Sequence, residues 1–564
     1  MAFTLYRGRG RAFFSEPPGN LPVPLRELYL PHMTENLSHR EKLLTLAGVL
    51  LAMFLGALDQ TIVSTALPRI VEDLNGLSRF TWVATAYLVA STALVPIYGK
   101  LADMYPRRTL EITVVIIFLI GSALCGLAGE FGPLPLLGDG MNQLVIFRGI
   151  QGLGGAGLFA LAFIIIADLF PPAERGKYQG YTGAVFGTSS VLGPFLGGLL
   201  TDNGTDWIPG VAGWRLVFYV NLPLGALALW FILTYMPKLA PQETGRRLDY
   251  LAALLLLAGL VPLVVALQLN KATYGWTSPL TLGMLIGAAV ALTLFVFRSL
   301  RSDNPILAFS LFKNPVFRAA NVAIFLLGGA FLGLVIFVPL FMVNVLGVSA
   351  TKAGISLIPQ SLGVVSGSVL AGQMVSRFGH YKRWMLGGGL VLLGGLSLLA
   401  TMPADVSYTR VLVYLAICGL GLGPTMPLYT LAIQNAVEPP LMGQATSASQ
   451  FFRQIGGAIT TALLGTVLTL TLSQALPTTA QTMAGAASRT AATTTDSPTL
   501  SPELASAPSA TGPTPVVRQA FSKAIHRVYL VVIVLAALGW TATWFVPEIP
   551  LRKTNEVKEP ALAG

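Results

Sequence analysis

Charge is scarce in this chain. Asp, Glu, Lys and Arg together make up 11% of its 564 residues, against about 25% in an average soluble domain. A soluble chain of this length cannot cover its surface with so few charges, so a string of water-soluble domains is excluded. Cysteine is scarcer still. Cys125 and Cys418 each sit inside an apolar run, which excludes a disulfide framework and a thiolate metal site. The four histidines, His32, His39, His380 and His526, avoid the middle of every apolar run. That removes a histidine proton relay within a membrane. The chain has no GxxxxGK[ST] loop, so an ATP-driven pump of that kind is excluded. No metal site, cofactor or enzymatic chemistry is expected.

Apolar sequence is plentiful instead. Hydrophobic residues reach 54%, glycines number 59 and mean hydropathy is +0.69. This composition reads as an all-α membrane protein. Fourteen apolar segments are long enough to span, from 43–67 through to 525–547. Many contain Gly or Pro, which membrane helices tolerate because neighbours re-satisfy the backbone. The net charge is +11, which in a soluble protein would suggest nucleic acid. Here it reflects Lys and Arg in cytoplasmic loops. With the N-terminus inside, the inner tails and loops hold 24 Lys and Arg and the outer loops hold 10. Both termini are therefore expected in the cytoplasm, and an even number of spans agrees.

The chain divides as follows. Residues 1–42 form a cytoplasmic tail rich in Arg and Pro, with no cleavable signal peptide; Met33 is an alternative start. Residues 43–236 form one six-helix bundle and 318–547 a second. Residues 237–317 insert two linker helices between them, and 548–564 form a cytoplasmic tail. Residues 473–520, rich in Ala, Thr, Ser and Pro, read as a flexible extracytoplasmic loop because such a composition cannot bury a core. Gly99–Arg108 after the second helix echoes Gly372–Arg383 after the tenth. The two bundles are thus pseudo-symmetric copies, an architecture that surrounds a shared midplane site.

Four motifs in order make the chain resemble the major facilitator superfamily, in its fourteen-helix drug:proton antiporter group. They are Leu58–Pro68 in helix 1, Gly99–Arg108 between helices 2 and 3, Arg148–Gly157 in helix 4 and Gly193–Gly198 in helix 5. Trp214-Arg215, Asn221–Gly225 and Phe451–Gly457 are similar to the same group. The likeness covers roughly 43–472 plus the last helix. It implies a multidrug efflux transporter working by alternating access. Met104 stands where the group usually has arginine and Pro106 where it has glycine. Gly152–Gly157 also fits a dinucleotide-binding spacing, but no strand precedes it and the membrane surrounds it.

Asp59 lies about 16 residues, roughly 24 Å, into helix 1. A carboxylate there is costly unless it faces water or a partner. It reads either as a proton carrier or as one arm of a fixed ion pair. Arg148, about 10 Å from the outer end of helix 4, lies at matching depth. A neighbouring cation favours the ionised carboxylate. Asp59 and Arg148 are therefore the expected proton-coupling pair. Gly99, Asp103, Arg107 and Arg108 form the expected conformational motif, with Asp103 set against the positive end of a helix across the bundle interface; the plainer reading is a positive-inside loop. Gly193 and Pro194 should break helix 5, with Gly197 and Gly198 allowing close packing. The resemblance makes this the exporter's helix kink; an ordinary kink is the alternative. Gln151, Gln360 and Arg453 are candidate cavity residues, although Arg453 can instead snorkel to the inner surface. Helices 9–14 hold no deep acidic residue, which places any carboxylate coupling in the N-terminal half.

The expected function is export of small hydrophobic or cationic compounds, drugs or toxic metabolites, in exchange for protons. The expected partners are that substrate, protons and the bilayer, with no nucleic acid. A monomer in the plasma membrane is expected. A lipid or dedicated-metabolite exporter, and a non-transporting scaffold or sensor, are the alternatives.

Overall fold

A computed structural model describes residues 37–76, 79–239, 247–269, 271, 274–475 and 515–554. Fourteen of its helices are long and apolar enough to cross a membrane. They are α1 His39–Asp73, α2 Phe80–Met104, α3 Arg107–Leu127, α4 Gly140–Leu169, α5 Pro172–Trp207, α6 Gly213–Tyr235, α7 Tyr250–Gln268, α8 Pro279–Arg301, α9 Pro315–Asn344, α10 Leu357–Phe378, α11 Lys382–Ala400, α12 Tyr408–Ala436, α13 Met442–Ala475 and α14 Pro515–Trp544. Most of residues 1–42, the middle of the 473–520 segment and the end of the 548–564 tail lie outside the described residues, as does Met33.

Polar residues at the ends of the apolar runs fix where helices begin. Ser38 and Glu41 cap α1 reciprocally: Glu41 N donates to Ser38 Oγ at 3.2 Å and Ser38 N donates to Glu41 Oε2 at 2.8 Å. Asp139, Asp249, Ser278 and Asn314 cap α4, α7, α8 and α9. Both ends of the 473–520 segment are helical, since α13 runs to Ala475 and α14 starts at Pro515. The last helix therefore begins ten residues before the apolar run at 525. Its first turns carry Arg518 and Lys523, which hydropathy alone assigns to a loop.

Helices α1–α6 pack on one another, and so do α9–α14. Helices α7 and α8 pair with each other, and α7 also touches α2 and α13. The two bundles meet along α5 with α10 and α2 with α13. Glycine permits the first contact. A Cβ on Gly176 would stand 3.0 Å from the Gly372 carbonyl oxygen, so the two backbones touch without intervening side chains.

The expected break at Gly193-Pro194 is absent. Helix α5 runs through Pro194 to Trp207 without interruption. Proline leaves one carbonyl of the preceding turn without its amide. That carbonyl belongs to Ser190; nearby, Thr61 Oγ1 of α1 donates to Ser189 O at 2.9 Å and Ser190 Oγ donates to Phe186 O at 2.8 Å. The interruptions fall elsewhere, at Val220 within α6 and at Gly423-Pro424 within α12. Gly193 and Gly197 pack closely on Thr61 and Ile62 of α1, but Gly198 has open space beside it and no packing role.

Candidate functional site

Asp59 is fully buried on α1, and Arg148 on α4 is 2% exposed. They meet: Arg148 Nη1 donates to Asp59 Oδ2 at 2.5 Å. Arg148 also donates to Gln151 Oε1 at 2.9 Å and, through Nε, to Val83 O at 3.2 Å. Its guanidinium lies 4.4 Å from the centre of the Tyr87 ring. The other carboxylate oxygen, Asp59 Oδ1, accepts from Gln151 Nε2 at 2.8 Å and Asn221 Nδ2 at 3.2 Å. Asn221 donates in turn to Ser122 Oγ at 3.0 Å, and Ser122 donates to Phe218 O at 2.9 Å. One carboxylate thus gathers donors from α4 and α6, with α3 behind them. A buried ion pair is sustained only when its remaining hydrogen-bonding capacity is filled in this way.

Beside this network lies a cavity of about 260 Å³ between the two bundles, near the low end for pockets that hold drug-sized ligands. Gln60, Tyr87 and Arg148 line it from the N-terminal half; Gln360 and Arg453 line it from the C-terminal half. Asp59 stands behind Arg148 and is not part of the wall. Arg453 faces the cavity rather than the membrane surface. Its guanidinium sits 5.7 Å from the centre of the Phe186 ring on α5, in the opposite bundle.

On the face that carries the described chain ends, the bundles are clasped shut. Asp103, fully buried at the end of α2, accepts from Gly443 N at 2.8 Å and Gln444 N at 3.0 Å. These amides belong to the first turn of α13, where no helical carbonyl is available to them. Gly99 packs against Gly443 and Ser447 one turn away. Arg107 Nε donates to Asp168 Oδ2 at 2.8 Å and Arg107 Nη2 lies 3.9 Å from Asp103 Oδ1. Arg108 donates to the Leu233 carbonyl. Gln179 Nε2 donates to Gln434 Oε1 at 2.7 Å, linking α5 to α12.

The sequence profile of the Major Facilitator Superfamily matches residues 49–461. The chain belongs to the major facilitator superfamily. Among its relatives, the Multidrug transporter protein MdtP of Bacillus subtilis is 39% identical over 77% of this chain and 77% of its own length. Multidrug resistance protein 3 of the same organism is 41% identical over 75% of this chain and 78% of its own. Among solved structures, the human organic anion transporter MFSD10 superposes with a TM-score of 0.54. The match covers 88% of this chain and 99% of that one at 15% identity, a likeness of fold alone.

This superfamily member is an integral membrane transporter of small molecules, not an enzyme. Two of its polar groups escaped the sequence reading. Asn221 stands in a recognised motif, but its reach to Asp59 Oδ1 emerges only from the packing of α6 beside α1. Glu111 on α3 is fully buried, and both its carboxyl oxygens lack a hydrogen-bond partner among the described residues.

Proposed function

We propose that the protein is a proton-coupled exporter of small, largely apolar compounds, working by alternating access between the two bundles. The multidrug names of its relatives support the cargo class. The observation that carries the coupling is the buried Asp59 carboxylate, held by Arg148, Gln151 and Asn221 beside the cavity. While ionised, it ties α1 to α4 and α6. A proton on Asp59 removes the charge that Arg148 answers and loosens the network as the bundles rock. Release of that proton on the other side restores the tie. The protein works as a monomer in the plasma membrane. The clasped face is cytoplasmic, on the excess of Lys and Arg there, so the described state is closed to the cytoplasm.

The cationic cargo expected from the resemblance has no carboxylate to receive it in the described cavity wall. A non-transporting scaffold has little reason to keep an ion pair in lipid.

Reconstituted in liposomes, the wild type should drive uphill flux of an apolar fluorescent substrate under a pH gradient. Asp59→Asn should abolish that flux while retaining some downhill exchange. Undiminished substrate-evoked proton flux in folded Asp59→Asn would remove the coupling role. Orientation is checked by thiol labelling of intact cells. A cysteine at Leu136, 96% exposed between α3 and α4, should react with an impermeant reagent. One at Lys553 should not.

A further inference from the structure

The cavity wall is unbalanced in charge. Among the described residues its ionisable groups of fixed sign are both arginines, Arg148 and Arg453, and it contains no Asp or Glu. Arg148 is answered by Asp59 at 2.5 Å. Arg453 is answered by no carboxylate among the described residues. Its Nη2 donates to the neutral Gln450 Oε1, and its Nε has no hydrogen-bond partner. An arginine at this depth is costly without a counter-ion, and helices 9–14 supply none.

The surroundings of Arg453 resemble half of a binding site. Gly328 of α9 brings that helix against the Arg453 backbone; a Cβ there would stand 2.6 Å from the Arg453 carbonyl oxygen. This close fit holds α13 firmly at the position of the arginine. On the cavity side, Phe186 lies under the guanidinium and stacks on Phe159, with ring centres 5.3 Å apart and planes 13° apart. Both phenylalanines line the cavity. Two more wall residues have buried oxygens without hydrogen-bond partners, Gln360 Oε1 and Thr461 Oγ1; of these the Thr461 hydroxyl can donate to an anion, while the amide oxygen only accepts. A flat apolar body with an acidic group fits this chemistry. The rings on Phe186 and Phe159 take the body, and the guanidinium fork takes the carboxylate or a similar anion. Lysine would supply the charge but not the planar fork.

We infer that Arg453 anchors the acidic group of the cargo, so that the transported compounds are aromatic weak acids carried as anions. The inference rests on the exporter reading for its meaning in the cell, but the site itself is tested by binding alone.

Purified full-length protein in lipid nanodiscs is titrated at neutral pH with three probes. These are 2-naphthoate, its neutral counterpart 2-naphthamide, and the cation tetraphenylphosphonium. Wild type should bind the carboxylate about tenfold or more tightly than the amide, the range of a charge-assisted hydrogen bond. Arg453→Gln should bring the two within about twofold, and Arg453→Lys should fall between. Equal or tighter binding of the amide or the cation by wild type overturns the inference. So does a folded Arg453→Gln that keeps the carboxylate preference. Should Arg453→Gln fail to fold, Arg453→Lys decides: a carboxylate preference equal to that of wild type overturns the inference. Flux of the same probes into liposomes under a pH gradient is measured separately. Arg453-dependent naphthoate binding with no flux of any probe sinks the exporter reading and leaves the anion site standing.

Discussion

The repeated segment makes two contacts between the bundles, and they are built differently. In the first copy, Gly99 and Asp103 of α2 meet the start of α13. In the second, Gly372 and Ser376 of α10 meet α5. The glycines correspond, and so do Asp103 and Ser376, each four residues further on. Both side chains accept a backbone amide from the facing bundle: Gly443 and Gln444 donate to Asp103, and Lys177 donates to Ser376 Oγ at 3.0 Å. The amides are not equivalent. Gly443 and Gln444 begin their helix and have no carbonyl of their own. Lys177 lies in the second turn of α5, where the helix already supplies an acceptor. Asp103 therefore sets a carboxylate against the positive end of a helix dipole, while Ser376 shares a donor that is already in use. The first contact is a latch, and the second is close packing with a weak polar addition.

The largest effect should follow from weakening the latch. Asp103→Asn keeps the shape and one acceptor but loses the charge. Charge-assisted hydrogen bonds are worth about 1.5–3 kcal/mol, so flux should fall roughly tenfold or more. Spin labels at exposed Tyr105 and Glu438, one on each bundle, should report longer distances. Unchanged distances would make the two contacts equal and break the comparison. Next comes Gly372→Ala. Its methyl group would press on the Gly176 carbonyl, a backbone atom that cannot rotate away. Overpacking of this kind costs about 1–3 kcal/mol, and flux should fall severalfold with the same lengthening. Ser376→Ala should lower flux by no more than about threefold, since the donor keeps its helical partner. A loss as large as that of Asp103→Asn would show that Ser376 is a second latch.

The smallest effect serves as a control. Asp139 also caps a helix, accepting Asn142 N at 2.9 Å at the start of α4, but it makes no contact between bundles. Asn142 N and then the Arg79 side chain hold its carboxyl below the usual carboxylate range. Its contribution to stability is therefore present above the unfolded value of about 4 and lost as pH falls through the folded value. Asp139→Ala should cost about 1 kcal/mol of stability near neutral pH, visible as a slightly lower Tm. Flux and label distances should not change. The difference in Tm from wild type should vanish in acid.

Single charges in apolar runs made part of this site legible from sequence. Asp59 and Arg148 stand out because the hydrocarbon region tolerates few such residues, and matched depth paired them. Asp103 was legible because the charged loop follows a helix end. What stayed hidden depends on which way helices turn. Membrane helices can run through a proline, as α5 does through Pro194, and Asn221 reaches Asp59 through the packing of α6 beside α1. Glu111 was missed because α3 begins at Arg107, so a residue one turn in is already enclosed. Gly198 fell on the open side of α5, a rotation that composition does not encode. The start of α14 was misplaced because its first ten residues include Arg518, Gln519, Ser522 and Lys523, and hydropathy gives no weight to caps or packing.

Arg453 has a consequence for voltage. For a carrier that alternates between two openings, an unanswered cation near the midplane is exposed first to one side of the membrane and then to the other. Crossing the whole field is worth about 2.3 kcal/mol per charge per 100 mV, and a partial crossing is worth a proportionate part. A negative interior therefore favours the empty cavity opening inward, where cargo is loaded. An anion seated on Arg453 cancels the charge and frees the bundles from that bias, so that cargo acts as the counter-ion that lets the loaded protein turn outward.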